Sequence, residues 1–297
     1  MMAAKMRHLS WLALVLLAFV SMGCEESVDP VLTTEEAFTI YGFLDPTADR
    51  QAIRVYSIDG VLQDIRNAPM DAVVRSTNTR TGEQNVWRDS VVTYPDRSLG
   101  HVFHAPFRPD FDTPYTLSVE HPDGRVATAN VLVPPDGEAS IVNIASTRSQ
   151  VVVSIDWRRI PRLLQTRVSY HVRVPFPDRS DTTTTRVDIS SGRVQRNSDG
   201  TWRVFIMPSA DIAAVYATLG LEPGRDPVLL DLVEVRAFVT SADWESPVGV
   251  YDPELLVQPG TFTNVTGGYG FVGGGYFDRF EFDMEDVDKR NAGFTIE

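Results

Sequence analysis

Cysteine is all but missing: Cys24 is the one thiol in 297 residues. No internal disulfide can form, so the chain must be held together by buried apolar surface. Lysine is nearly as rare, with Lys5 and Lys289 the exceptions among basic residues that are otherwise arginine. Positive charge as a whole is short, 27 Lys and Arg against 40 Asp and Glu, for a formal charge of −13. That balance excludes a nucleic-acid partner, whose phosphates demand a basic surface, and a broad electrostatic hold on anionic lipid. Helical periodicity is scarce, and low-complexity sequence stops at Thr182–Thr185, which reads as an edge strand.

What is present begins at the N-terminus. Lys5 and Arg7 supply a short positive segment, Leu9 to Met22 follow with scarcely a polar atom, and the stretch ends at Gly23-Cys24. A charged start, an apolar stretch too short for a comfortable membrane span and small residues at its end describe a secretory signal. A cysteine at the cleavage point, followed by Glu25 and Glu26, points to lipid attachment at Cys24. Ser21 and Met22 depart from the Leu and small residue usual at those places in bacterial lipoprotein signals. A cleaved signal with a free thiol and an uncleaved anchor are the competing readings. Loss of residues 1–23 removes Lys5 and Arg7 and no acid, leaving 25 basic and 40 acidic residues and a formal charge of −15. Anchoring then falls to the acyl chains.

The remaining 274 residues predict two domains. Residues 24–35 read as a tether. Val131-Leu132-Val133 closes a strand-like run, and Pro134-Pro135-Asp136-Gly137 forms a stiff connector that cannot belong to a central strand. The expected domains are therefore 36–133 and 138–297. Period-two alternation runs through both. Val151, Val153, Ile155 and Trp157 face one way; Val168, Tyr170, Val172, Val174 and Phe176 repeat the pattern, as do Val233, Val235, Ala237 and Val239. Tyr115, Leu117 and Val119 lead into the turn His121-Pro122-Asp123-Gly124 and a returning strand. One short helix is expected near 209–219, capped by Ser209 and ended by Gly220. The reading is all-β, two sandwiches in series, with Trp157, Tyr170 and Val235 buried and His171 and Arg173 turned away from that core.

The order of features resembles the Bacteroidota envelope lipoprotein family catalogued as domain of unknown function 4249. The residues that carry it are Gly23-Cys24-Glu25-Glu26, the strands 37–42, 70–74 and 114–119, and the closing Asn264-x-x-Gly267-Gly268-x-Gly270-x-x-Gly273 segment. The resemblance implies an outer-membrane lipoprotein with immunoglobulin-like or carboxypeptidase-regulatory-like sandwiches, often encoded near TonB-dependent receptors. It implies no catalytic residues and no cofactor.

Gly268, Gly270 and Gly273 spell G-x-G-x-x-G, but a dinucleotide site needs that motif between a strand and a helix, and Gly274-Gly275-Tyr276-Phe277 favours more strand. Two readings of the segment stand: late strands with close backbone approach, or a binding loop carrying Gly268, Tyr269, Gly270 and Phe271. His101-x-x-His104 lies on a strand, where odd spacing sends the rings to opposite faces, against a metal site. Asp110 with Asp112, and Asp283, Glu285, Asp286 and Asp288, lack calcium-loop spacing and read as solvated acidic faces. No G-x-S-x-G elbow is present. Trp157 reads as core; Trp87, Trp202 and Trp244 sit among polar neighbours, where packing competes with sugar stacking or partner anchoring. The expectation is a binder and not an enzyme, an accessory module for an outer-membrane transporter. A glycan- or small-ligand-binding module and an extracytoplasmic hydrolase are the alternatives.

Overall fold

The computed structural model describes residues 36–58, 68–95, 97, 99–175, 182–244 and 263–297. The expected signal, Cys24 and the tether lie outside the described residues, as does Phe176. From Glu35 to the C-terminus the chain forms one compact unit. It is mostly β, in three sheets.

The largest sheet has eight strands in the order β12-β11-β15-β17-β1-β2-β6-β5. These are β1 (Phe38–Leu44), β2 (Gln51–Ser57), β5 (Arg88–Thr93), β6 (Leu99–Ala105), β11 (Arg162–Pro175), β12 (Thr182–Ser191), β15 (Leu229–Thr240) and β17 (Gly268–Phe282). A five-stranded sheet, β16-β8-β7-β3-β4, contains β3 (Val73–Asn78), β4 (Gln84–Val86), β7 (Pro114–Glu120), β8 (Val126–Leu132) and β16 (Val265–Thr266). The third, β13-β14-β10-β9, is built of β9 (Glu138–Thr147), β10 (Gln150–Arg158), β13 (Val194–Arg196) and β14 (Trp202–Ile206). The Thr182–Thr185 run begins β12, at an edge, as its composition predicts.

Alternation places one set of apolar side chains on each inner face, and two cores result. Phe38, Ile40, Leu44, Ile53 and Phe103 of the large sheet meet Val74, Leu117, Val119 and Val131 of the five-stranded sheet. Val168, Tyr170, Val235 and Val239 meet Val153, Ile155, Trp157 and Ile206 of the four-stranded sheet. Fully burying one such side chain stabilises by about 1.5–3 kcal/mol. Trp157, Tyr170 and Val235 are wholly buried, while His171 and Arg173 keep partial exposure on the opposite face.

Each core draws almost wholly on one side of residues 134–137, but one late segment crosses over. β17 runs parallel to β1 from Phe38↔Gly268 to Leu44↔Gly274, then antiparallel to β15 from Thr240↔Gly275 to Val233↔Phe282. One strand thus carries the sheet from one core to the other, and Val265 and Val272, late in the sequence, lie in the first core. Periodicity is a local signal, so it marks a strand without naming its partner. The prolines do separate β8 from β9, but the joint is tied down. The Tyr276 hydroxyl accepts from the Gly137 N–H at 2.8 Å and donates to the Pro135 carbonyl at 3.2 Å.

The expected helix is α1 (Pro208–Leu219), ended by Gly220 in the left-handed region at φ 67°. Its N-cap is Met207 and not Ser209. Proline at the first position starts the helix without an N–H to satisfy, while the Ser209 hydroxyl accepts from the Val151 N–H at 3.1 Å. A second helix, α2 (Asp286–Ala292), forms where the sequence reads as an acidic face. Asp286 and Asp288 occupy its first turn and Lys289 and Arg290 its last, which suits the helix dipole.

Candidate functional site

The segment expected as a binding loop, Gly268 to Phe271, is the start of β17, an interior strand of the large sheet. Gly268 and Gly270 are buried there. A Cβ on Gly270 would lie 2.1 Å from the Ile40 carbonyl oxygen, at a φ of 106°, and one on Gly274 would lie 2.1 Å from that of Leu132. The glycines let backbone meet backbone, the close-approach reading of the motif. Phe271, 6% exposed, belongs to a third apolar cluster with Phe238 and Trp244, on which Phe43 and Leu164 pack. Its ring meets Trp244 edge-on with centroids 5.2 Å apart, and Trp244 stands likewise against Phe238 at 5.2 Å. Such pairs add about 0.5–1.5 kcal/mol beyond area burial. Tyr269 alone of the four keeps partial exposure.

Surface character appears further along the same strand. Phe277 is 45% exposed, its ring 4.8 Å from Phe238 and 5.3 Å beneath the guanidinium of Arg236. Register sets Arg236 opposite Arg279 and Glu234 opposite Glu281. Like charges directly opposed destabilise a sheet, and the relief is local. Glu234, its side chain 3% exposed, accepts from Arg279 at 2.8 Å, and Arg279 also pairs with Glu281. His171 places Nε2 3.6 Å from the Glu234 carboxylate. On the edge strand beside it, the Arg186 side chain holds Asp188 at about 2, well under the usual carboxylate range, with Ser169 adding a hydrogen bond. The outer face of β12, β11, β15 and β17 is therefore a charged lattice with an aromatic step at Phe277. A cation over an exposed ring beside carboxylates is a residue combination common in protein contacts.

The other sequence-predicted candidates do not join it. His101 is buried on β6 with Nδ1 2.8 Å from Asp89, whereas His104, on the opposite face, lies 3.3 Å from the Ser90 hydroxyl. Among the described residues no group of three or more His, Cys, Asp or Glu is placed to hold a metal. Asp283 pairs with Lys289 at 2.7 Å and Asp288 is buried in α2, so the acidic run starts a helix. Trp87 and Trp244 are buried, and Trp202 packs on the second core with its indole N–H on the Pro161 carbonyl. Beneath the lattice, Trp157 donates to Asp278 at 2.8 Å, and burial pushes that carboxyl up. The Tyr170 hydroxyl, also pushed up by burial, donates to Asp211 at 2.7 Å, whose other oxygen takes Arg193 at 3.2 Å. These bonds fasten α1 to β11. Sequence reading missed the Phe277–Arg236 pair because the signal lies in cross-strand register: the two residues are 41 positions apart in the chain.

No family model matches the chain, and no curated protein matches it. Among solved structures, a pullulanase complexed with maltotriose from Anoxybacillus sp. LM18-11 matches at 11% identity and TM-score 0.22, over 68% of this chain and 24% of that one. Bovine butyrophilin matches at 11% identity and TM-score 0.21, covering 67% of this chain and 91% of its own. The tandem Ig repeats of Dlar match at 11% identity and TM-score 0.19, over 70% and 91%. The chain spans about a quarter of the length of the pullulanase, 24%. At these TM-scores the matches carry no argument about this chain.

Proposed function

We propose that this chain is a lipid-anchored lipoprotein of the cell envelope that acts as a binding module and not as an enzyme, an accessory to an outer-membrane transporter. One observation carries the reading: the Lys5-Arg7 start, the apolar stretch to Met22 and the lone Cys24 before two acids. The family the chain resembles is of this kind. In this reading the protein is held to the outer membrane by acyl chains, and its two cores are immunoglobulin-like sandwiches that share a sheet. Its partner is a protein, and the contact surface is the step formed by Phe277, Arg236 and Arg279, with half-exposed Tyr269 on the same strand. An exposed ring beside arginines is the residue chemistry that dominates protein contacts.

The test is affinity isolation of tagged full-length protein from detergent-solubilised membranes. Wild type is expected to bring down an outer-membrane transporter, and Phe277→Ala with Arg236→Ala to lose it while the thermal midpoint falls by only about 2–4 °C or less. Equal recovery by both proteins removes the surface assignment; recovery of no transporter by wild type removes the accessory role.

A further inference from the structure

We propose that the outer face of β11, β15 and β17 binds a carboxylate, carried by an extended acidic segment of a partner protein: one Asp or Glu set two residues from an apolar side chain. The inference rests on the proposed contact surface and names what that surface takes. Cross-strand register brings three arginines into one row, with Arg167 opposite Arg236 and Arg236 opposite Arg279. Residues directly opposed project from the same face with Cβ atoms about 4.5–5.5 Å apart. Three guanidinium groups therefore share one strip of surface.

The two outer members of the row have carboxylates. Arg279 reaches Glu234 at 2.8 Å and also pairs with Glu281, and Arg167 stands 3.8 Å from Asp188. Arg236, in the middle, has no carboxylate partner among the described residues; its guanidinium lies over the Phe277 ring, 5.3 Å from the centroid. A guanidinium so placed keeps N–H donors for an acceptor. Like charges in line weaken a sheet, and this row is a local reversal of sign in a chain with 27 basic and 40 acidic residues. An anion from outside completes it. The row is within reach of one, since the Arg167 and Arg279 side chains are both more than half exposed.

The rows on either side define the occupant. Two residues away along β15 and β17, Phe238 and Phe277 form an apolar row that Leu164 continues on β11. Two residues the other way, Glu234 and Glu281 stand opposed, with Ser169 and then Asp188 completing an acidic row. Rows on one face repeat every second residue, roughly 7 Å, and an extended chain lying along the strands repeats at the same distance. An apolar side chain seated on Phe277 thus brings the side chain two residues away over Arg236. A carboxylate there accepts paired N–H bonds from the planar guanidinium, the geometry arginine favours. Further anionic groups would run onto the acidic row, so the face suits one carboxylate and disfavours a polyanion. A net charge of −13 disfavours an anionic membrane surface in the same way.

The test is fluorescence anisotropy at low salt, with detergent-solubilised full-length protein and the labelled peptide Ser-Gly-Phe-Ser-Glu-Ser-Gly. Its counterparts carry Gln in place of Glu, or Ala in place of Phe. The Glu peptide is expected to bind about tenfold more tightly than the Gln peptide, and the Ala peptide more weakly than the Phe peptide. Arg236→Gln is expected to abolish the preference for Glu. Arg54→Gln, which changes an outward arginine of β2 over Tyr94, is expected to keep it. Circular dichroism establishes that each variant is folded. Binding that does not distinguish Glu from Gln, including none by either, overturns the proposal, and so does a preference that survives Arg236→Gln. Tighter binding to phosphatidylglycerol vesicles than to the peptide also overturns it and gives the row to lipid headgroups. A transporter captured without any preference for the Glu peptide removes this inference alone; the preference without a transporter removes the accessory role alone.

Discussion

Replacing Phe271 with alanine removes a ring that sits 6% exposed between β1 and β15, edge-on to Trp244 at 5.2 Å. Its neighbours cannot close the gap, because the backbone of β17 is pinned by Gly270 against Ile40 and by Gly274 against Leu132. Deleting a buried Phe in a rigid surround costs about 3–5 kcal/mol, which includes the cavity left behind. For a unit of this size each kcal/mol shifts the midpoint by about 2–4 °C, so a fall on the order of 10 °C is expected. Phe277→Ala is the control: the same deletion on the same strand, from a ring 45% exposed, should cost about 1 kcal/mol or less. Calorimetry or circular dichroism on the two variants decides. Equal midpoints would refute the placement of Phe271 in the core and revive the loop reading of this segment.

Gly270→Ala should be more damaging than Phe271→Ala, since its Cβ would fall 2.1 Å from a carbonyl oxygen at positive φ; yield of folded protein and protease resistance measure it. Tyr170→Phe takes away a buried donor to Asp211 and should cost about 1.5–3 kcal/mol in denaturant unfolding. Asp278 should behave oppositely to Asp188 on acidification. Burial raises the folded pKa of Asp278, so the folded state binds that proton more tightly and its contribution improves as pH falls through the raised value. Asp278→Asn, which keeps an acceptor for Trp157, should therefore hold or raise stability at neutral pH. Asp188 is depressed to about 2, so its stabilisation is present above the ordinary carboxylate range and lost as pH falls towards about 2. Asp188→Asn should cost about 0.5–1 kcal/mol at neutral pH and nothing below that window, read from urea unfolding at several pH values.

Much of the sheet was legible because inward and outward residues alternate cleanly. Val151–Trp157, Val168–Val174 and Val233–Val239 are strands with the predicted faces buried. The odd spacing of His101 and His104 separates them as the strand period requires. Pairing was not legible. Nothing local in Gly268–Gly274 says that it will lie beside Phe38–Leu44, and without side chains its glycines show no alternation. A strand that works by close approach thus carries the composition of a loop. α2 escaped notice because seven residues are too few for a helical stripe, and its acids stand where a dipole favours them. The Phe277–Arg236 step exists only once β15 and β17 are in register.

The central claim, that the molecule is a lipoprotein held by Cys24, is tested most directly by the mass of its N-terminal peptide. Full-length protein is expressed in a bacterial envelope, recovered from membranes, digested, and its N-terminal fragment measured by mass spectrometry. The account predicts that the fragment begins at Cys24 and carries diacylglyceryl and acyl mass. A fragment that begins elsewhere, or a Cys24 with a free thiol, would contradict it.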